Sequence, residues 1–407
     1  MPERLGELIR LFLKLGTISF GGPAAHIALM EEEVVRRRNW LSREQFLDLL
    51  GATYLIPGPN AIEMAAYIGH RRAGLLGLVV AGASFTLPAA AITAVLAWAY
   101  VSYQALPQIK PWVDPLLAGI KPAVLAIVVA AICRLGKTAL GTWELAAIGL
   151  GVAAASWAGA GEVASLVAGG ILGAVVLRWL RPGSGEPPKS PPDVAVGAVA
   201  VGAGGSATAA AAAAAGAGTA GVATVSLGKL ALFFLKVGAV LYGSGYVLIA
   251  YIEGGLVDDY GWLKQEELLD AVAVGQITPG PLISTVTFVG YVVAGLPGAA
   301  VATVAVVLPG LCLVALVNPW IARLRSWAWA GRFLDAASAA SIGLTAVVAI
   351  RLAQGTLLVD TGEGLLPDWR GCVVALAAGA VLWRWKVAPA WLVLAGAIAG
   401  MVLWSTP

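Results

Sequence analysis

Charge is what this chain has least of: Asp, Glu, Lys and Arg together make up 12% of its 407 residues, and histidine occurs only twice. Soluble domains carry about a quarter of their residues charged, so a water-exposed globular domain is excluded. The three cysteines, Cys133, Cys312 and Cys372, stand far apart, each in or beside an apolar segment. That rules against a disulfide framework and suits free thiols packed as small hydrophobes. With His26 and His70 the only imidazoles and no Cys/His cluster, neither a metal nor another cofactor is expected. The net charge of +3 says little about partners, and no nucleic-acid partner is expected. The start, MPERLGELIRLFLKLG, interleaves Glu3, Arg4, Glu7, Arg10 and Lys14 with leucines and has no small-residue cleavage site, so it does not read as a signal peptide.

What the chain has in quantity is apolar sequence: 59% of residues are hydrophobic and the mean hydropathy is +0.85. A spanning helix needs ~20 mostly apolar residues, and a multi-pass protein of the lipid bilayer is the class that fits. Candidate spans are Ala73 to Tyr100, Leu116 to Cys133, Leu145 to Trp157, Val163 to Leu177, Leu296 to Val317, Ala336 to Leu352, Gly371 to Trp383 and Pro389 to Trp404. Several are rich in Gly and Ala, which implies close packing between helices.

Shifted by 222 residues, the chain matches itself. Phe12-Leu-Lys-Leu-Gly16 falls on Phe234-Leu-Lys-Val-Gly238, Trp40-Leu41 on Trp262-Leu263, Asp48 on Asp270, and Pro57-Gly58-Pro59 on Pro279-Gly280-Pro281. Roughly a third of the ungapped positions are identical, which marks an internal duplication. Charges in matching loops differ: Arg36-Arg37-Arg38 faces Asp258-Asp259-Tyr260, and His70-Arg71-Arg72 faces Tyr291-Val292-Val293. In the next loop the contrast reverses, with only Lys110 in the first copy against Arg323, Arg325 and Arg332 in the second. Because Lys and Arg stay on the cytoplasmic side of short loops, the repeats are predicted to be inverted, with a cytoplasmic N-terminus. Inversion requires one further crossing between them. The Pro-rich stretch Arg181 to Asp193 reads as a linker, and the Ala/Gly run Val194 to Val225 is either a tether or that connecting helix.

The first part of each repeat is interrupted rather than spanning. An apolar arm stops at Gly21-Gly22-Pro23; the next begins after Ser42, a plausible N-cap, and stops at Pro57-Gly58-Pro59. Each arm is too short to cross a bilayer, the pattern of re-entrant helical hairpins. Breaks at membrane depth survive where protein, water or a polar solute satisfies the backbone. Pro59 and Pro281 suit a first helical turn, leaving N–H groups of Asn60, Ala61 and Ile62, and of Leu282, Ile283 and Ser284, to face an anion. The plainer alternative is a corner between packed helices. Near the second break, Gly243, Ser244, Gly245, Gln276, Thr278, Ser284 and Thr285 add hydrogen-bonding groups or bare backbone. Lys14 and Lys236 either pair with substrate or with Glu31 and Glu253, or extend to the interface. Glu63, without a counterpart in the second repeat, is a candidate carrier of a coupling proton.

The motifs FGGP (Phe20 to Pro23), IPGP (Ile56 to Pro59), GSGYVL (Gly243 to Leu248) and QITPGP (Gln276 to Pro281) together resemble the chromate ion transporter family in its two-repeat form. The resemblance implies an all-α integral membrane protein of inverted duplication: residues 1–180 and 227–407 as repeats, 181–226 as linker. Each repeat then has two broken hairpins followed by about four membrane helices. It further implies a bacterial or archaeal inner-membrane protein that expels chromate on the membrane potential or proton gradient, with sulfate, an isosteric dianion, as competing ligand. An oxyanion importer or exchanger, or an anion channel on the same scaffold, is the alternative; an intramembrane enzyme lacks paired acids or a nucleophile near the breaks. A homodimer is left open.

Overall fold

The computed structural model describes residues 2–20, 23–180, 225–242, 245–318, 328–360, 365–385 and 387–404. The Pro-rich and Ala/Gly stretches of the linker up to residue 224 lie outside these. So do Gly21, Gly22, Gly243 and Ser244, and the charged Arg323, Arg325, Glu363 and Lys386.

Fourteen α-helices make up the described chain. The first repeat runs α1 (Pro2–Ile18), α2 (Pro23–Glu31) with a π-helical continuation Glu32–Arg37, α3 (Arg43–Thr53), α4 (Ala61–Gln104), α5 (Lys110–Ala139), α6 (Trp143–Trp157) and α7 (Glu162–Leu180). The second runs α8 (Leu227–Val240), α9 (Val247–Ile252) with a π-helical continuation Glu253–Asp259, α10 (Gln265–Ile277), α11 (Ser284–Val317), α12 (Ala328–Leu357), α13 (Trp369–Arg384) and α14 (Pro389–Leu403). The order is the same in both, down to the π-helical turn. A short antiparallel ribbon, Leu358–Asp360 with Leu365–Pro367, joins α12 to α13.

α4 and α11 each fold back on themselves. Ala73 and Gly74 take φ/ψ of −145°/24° and 65°/−152°, and Ala294 and Gly295 repeat these at −146°/26° and 64°/−157°. Only glycine adopts that positive φ without strain, and it reverses the chain within two residues. The arms then close until Gly69 lies against the backbone of Gly77, and Gly290 against Gly298, with no room for a side chain. Thr287 and Thr303 hydrogen-bond across the second hairpin at 2.8 Å. Among the described residues, four apolar helices follow the breaks in each repeat: the long arm of α4 with α5 to α7, and the long arm of α11 with α12 to α14.

Five helices are long and apolar enough to cross a membrane, 61–104, 110–139, 162–180, 284–317 and 329–357; α6 and α14 are shorter apolar helices. Only a third to two-thirds of each spanning window is buried by protein. The rest exposes large apolar side chains such as Leu75, Leu87, Leu296 and Val304, each more than 60% accessible. Apolar surface on that scale is stable only against lipid. Exposed tryptophans stand near helix ends, Trp112, Trp143, Trp179, Trp369, Trp383 and Trp391, as interfacial anchors do.

The repeats are interlocked. α5 packs against α13 and α14 of the other repeat, and its counterpart α12 packs against α6 and α7. α4 and α11 pack on each other and pass in opposite directions. His70, at the turn of the α4 hairpin, meets Asn318, which follows α11, at 3.2 Å, while Tyr100 near the end of α4 meets Phe288 near the start of α11.

Candidate functional site

Residue chemistry sets where each broken arm starts and stops. Ser42 caps α3 by accepting from the Gln45 N–H at 3.1 Å, and the Gln45 side chain accepts from the Ser42 N–H, also at 3.1 Å. The arm ends at Thr53, and Pro57 and Pro59, lacking N–H groups, forbid its continuation. In the second repeat α10 ends at Ile277 and Pro279 and Pro281 act likewise.

Each proline-flanked glycine is then bonded to the other repeat. The Gly58 N–H donates to the Leu241 carbonyl at 2.8 Å, and the Gly280 N–H donates to the Ser19 carbonyl at 2.7 Å. Ser19 and Leu241 are equivalent under the 222-residue shift, and each sits where the first arm of its repeat stops. Two reciprocal bonds thus join the four helix breaks in two pairs, each made of one break from either repeat. The breaks also lean on the crossed α4–α11 pair: Gly280 against Ala89, and Gly58 against the Glu63 carboxyl, whose other side meets Gly310.

The backbone donors here differ from the sequence expectation. The N–H groups of Ala61 and Ile62 turn back to the Pro59 carbonyl, and that of Ser284 to Pro281 at 3.0 Å, so these three do not face an anion. A proline at the first position fixes a tight turn whose carbonyl captures the donors that follow. Among the described residues, the N–H groups of Asn60, Leu282 and Ile283 have no backbone acceptor. Asn60 has φ 17° and ψ −40°, and its side chain makes no capping bond.

Side-chain donors cluster around these turns. The Thr278 hydroxyl donates to the Val274 carbonyl at 2.7 Å and lies 3.4 Å from the Thr93 hydroxyl of α4, while Gln276 reaches the Tyr246 hydroxyl at 3.4 Å. Among the described residues, the hydroxyls of Ser19, Ser284 and Thr285, and one oxygen of Glu63, are buried without a partner. Glu63 is 1% exposed, in the first turn of α4. Unpaired buried polar groups are costly in a membrane interior, and a polar solute or water satisfies them.

The other charged candidates lie away from this point. Lys14 bonds Glu33 at 2.7 Å rather than Glu31, which pairs with Arg43 at 3.7 Å. The wider π-helical turn after Glu31 is the reason: it turns Glu33 inward, where it also meets Arg37 and Arg38. Position 255, matching Glu33, is glycine, and among the described residues no carboxylate pairs with the exposed Lys236. Glu253 is buried beside Gly254, against which the Glu162 carboxyl packs. Gly245 is half-buried opposite Leu282.

One polar cluster escaped the sequence reading. Lys121, inside the apolar run Leu116 to Cys133, lies 3.7 Å from Asp270, which also accepts from the Tyr100 hydroxyl at 2.8 Å. A lysine within a span was the available signal. Its partner lies almost 150 residues away in sequence and could not be read from spacing.

This architecture is that of a multi-pass helical membrane protein whose polar centre is built from broken helices, a transport protein's arrangement. The sequence profile of the chromate transporter family matches residues 6–174 and 228–401, and the chain belongs to that family. It is 32% identical over 402 residues to a protein of Synechococcus elongatus named probable chromate transport protein, covering 98% of this chain and 96% of that one. It is 33% identical over 404 residues to the chromate transport protein of Cupriavidus metallidurans, covering 98% and 93%. With the chromate transport protein of Pseudomonas aeruginosa it shares 30% over 402 residues, covering 94% and 92%. No solved structure matches the chain.

Proposed function

We propose that this protein is a secondary transporter that exports chromate across the cytoplasmic membrane. The dianion is held at the paired helix breaks, and sulfate competes for the same place. The observation that carries this reading is the reciprocal pair Gly58–Leu241 and Gly280–Ser19, which anchors each proline-flanked turn on the other repeat, while among the described residues the N–H groups of Asn60, Leu282 and Ile283 on those turns have no backbone acceptor. A tetrahedral dianion is well held by several neutral donors and half-helix dipoles, without a full countercharge that would trap it. The hydroxyls of Ser284 and Thr285 supply further donors. The names of the full-length relatives favour chromate.

In this reading the two repeats are inverted across the membrane, as the loop charges suggest and as the antiparallel passage of α4 and α11 supports. Alternating access is then a rocking of one repeat against the other about the breaks. Glu63, buried and half-unpaired beside Gly58, carries the coupling proton.

The test is uptake of labelled chromate and sulfate into inside-out vesicles, with and without a proton gradient. Saturable uptake that a gradient drives uphill supports the proposal. Current without saturation or coupling would make the protein a channel, and absence of oxyanion flux would sink the reading.

A further inference from the structure

A cavity of about 570 Å³ opens between the end of α4, the starts of α5 and α10, and the end of α12. Its volume is that of a small-molecule site and exceeds one tetrahedral oxyanion, so an ion enters it with water. Lys121 and Asp270 lie in its wall and are the most unusual groups there. Asp270 is 3% exposed, and its Oδ1 is buried without a partner among the described residues. The Lys121 side chain, 20% exposed, is the accessible member of the pair. A solute in the cavity therefore meets the ammonium before the carboxylate.

The pair is loose. At 3.7 Å the Lys121 Nζ lies beyond the usual charge-assisted hydrogen-bond length, whereas the Tyr100 hydroxyl holds Asp270 Oδ2 at 2.8 Å. Lys121 retains donor capacity for another anion. Around Asp270, α4 contributes Tyr100 and Tyr103, α5 contributes Lys121 and Asp114, and α10 its own Glu266, which lies 4.0 Å from Lys121. From the remaining walls come uncharged groups such as Thr356 and Trp404; Lys110, Lys264, Glu267 and Asp368 complete the charged lining.

We propose that Lys121 and Asp270 form a proton-linked vestibular site for a tetrahedral oxyanion. The anion takes the Lys121 ammonium, and as that side chain moves aside the Asp270 carboxylate opens to the cavity and takes up a solvent proton. Tyr100 continues to donate to Oδ2. A dianion beside an ionised, buried carboxylate would be repelled at short range, so anion and proton arrive together. The location suits an access route. Asp270 and Tyr100 lie on α10 and α4 about two helical turns from Thr278 and Thr93, whose hydroxyls also meet, and Thr278 adjoins the second break. The inference rests on the transport reading above.

The experiment titrates the purified full-length protein with chromate and with sulfate over a range of pH by calorimetry. Every sample, the wild type of this comparison included, carries Glu63→Gln, so that a proton bound at the helix breaks adds no slope, and the two binding events are fitted separately. Sulfate stays a dianion throughout, which separates protonation of the site from protonation of chromate. Wild type is expected to bind more tightly as pH falls, approaching about tenfold per pH unit for one linked proton. Asp270→Asn should bind at alkaline pH as tightly as wild type does at acidic pH, with the slope gone. Lys121→Met should weaken binding about tenfold or more. The double variant, which leaves no lone buried charge, is the folded control and should bind weakly without a pH slope. A wild-type slope in Asp270→Asn or in the double variant, or unchanged affinity in folded Lys121→Met, would overturn the proposal. If wild type binds neither anion, the transport reading falls, and this site with it.

Discussion

Gly58 donates its N–H to the carbonyl of Leu241 at 2.8 Å, so the second helix break of one repeat rests on the first break of the other. Gly280 and Ser19 repeat the relation at 2.7 Å. Neither repeat can complete the central turns alone, because each lacks the carbonyl that holds its own proline-flanked glycine.

Substitution at Gly58 is expected to be costly. Its φ is 144°, and the Glu63 carboxyl occupies the space a side chain would need. Gly58→Ala should lower thermal stability by more than the ~1–2 kcal/mol of backbone strain alone. Gly261→Ala, with φ 59° and nothing within 4 Å, should carry only the strain. Thermal unfolding of both purified variants, with vesicle flux, makes the comparison; equal losses would mean that contact with Glu63 is unimportant.

Pro59→Ala and Pro281→Ala restore an N–H and free the backbone that each proline holds, so the turns lose their orientation. Transport should fall while the amount of protein in the membrane changes little, since the apolar spans are untouched. Chromate flux normalised to membrane abundance checks this, and normal flux in both variants counts against a site at the breaks.

Glu63→Gln keeps the shape of the side chain and fixes it neutral. If Glu63 moves the proton, uphill flux driven by a pH gradient should be lost while anion exchange, which moves no net proton, survives. Retention of gradient-driven flux would return Glu63 to a packing role.

Lys14 and Glu33 should respond unequally. The Lys14 side chain is 49% exposed, and such a pair contributes at most about 1 kcal/mol after solvent screening, whereas Glu33, 9% exposed, gathers Lys14, Arg37 and Arg38. Lys14→Met should leave anion affinity unchanged and melt near wild type. Glu33→Gln should unfold at a lower temperature, because three cations lose one buried partner. A fall in anion affinity in Lys14→Met would place that lysine in substrate binding instead.

Cysteines at Arg37 and Asp259, both exposed and equivalent under the duplication, test the inversion directly. With Cys133, Cys312 and Cys372 replaced by serine, a membrane-impermeant thiol reagent should reach the two positions from opposite sides. Labelling from one side would mean parallel repeats.

Features that depend on a residue and its immediate neighbours were legible in the sequence. Proline's missing N–H dictated where α3 and α10 could not continue, Ser42 marked the N-cap of α3, and apolar length marked the spans. The duplication was likewise visible, as an arrangement that two copies of one sequence would share.

Which groups meet was decided only by the tertiary structure. The π-helical turn swung Glu33, not Glu31, toward Lys14, a rotation that depends on how α2 packs. The prolines that break the helices also set turns whose carbonyls captured donors the sequence alone left free. Lys121 and Asp270, like Gly58 and Leu241, meet only because helices from the two repeats interleave. Local covalent chemistry ends a helix within a few residues, whereas long-range pairing follows from which apolar faces bury one another, a property of the whole packed bundle.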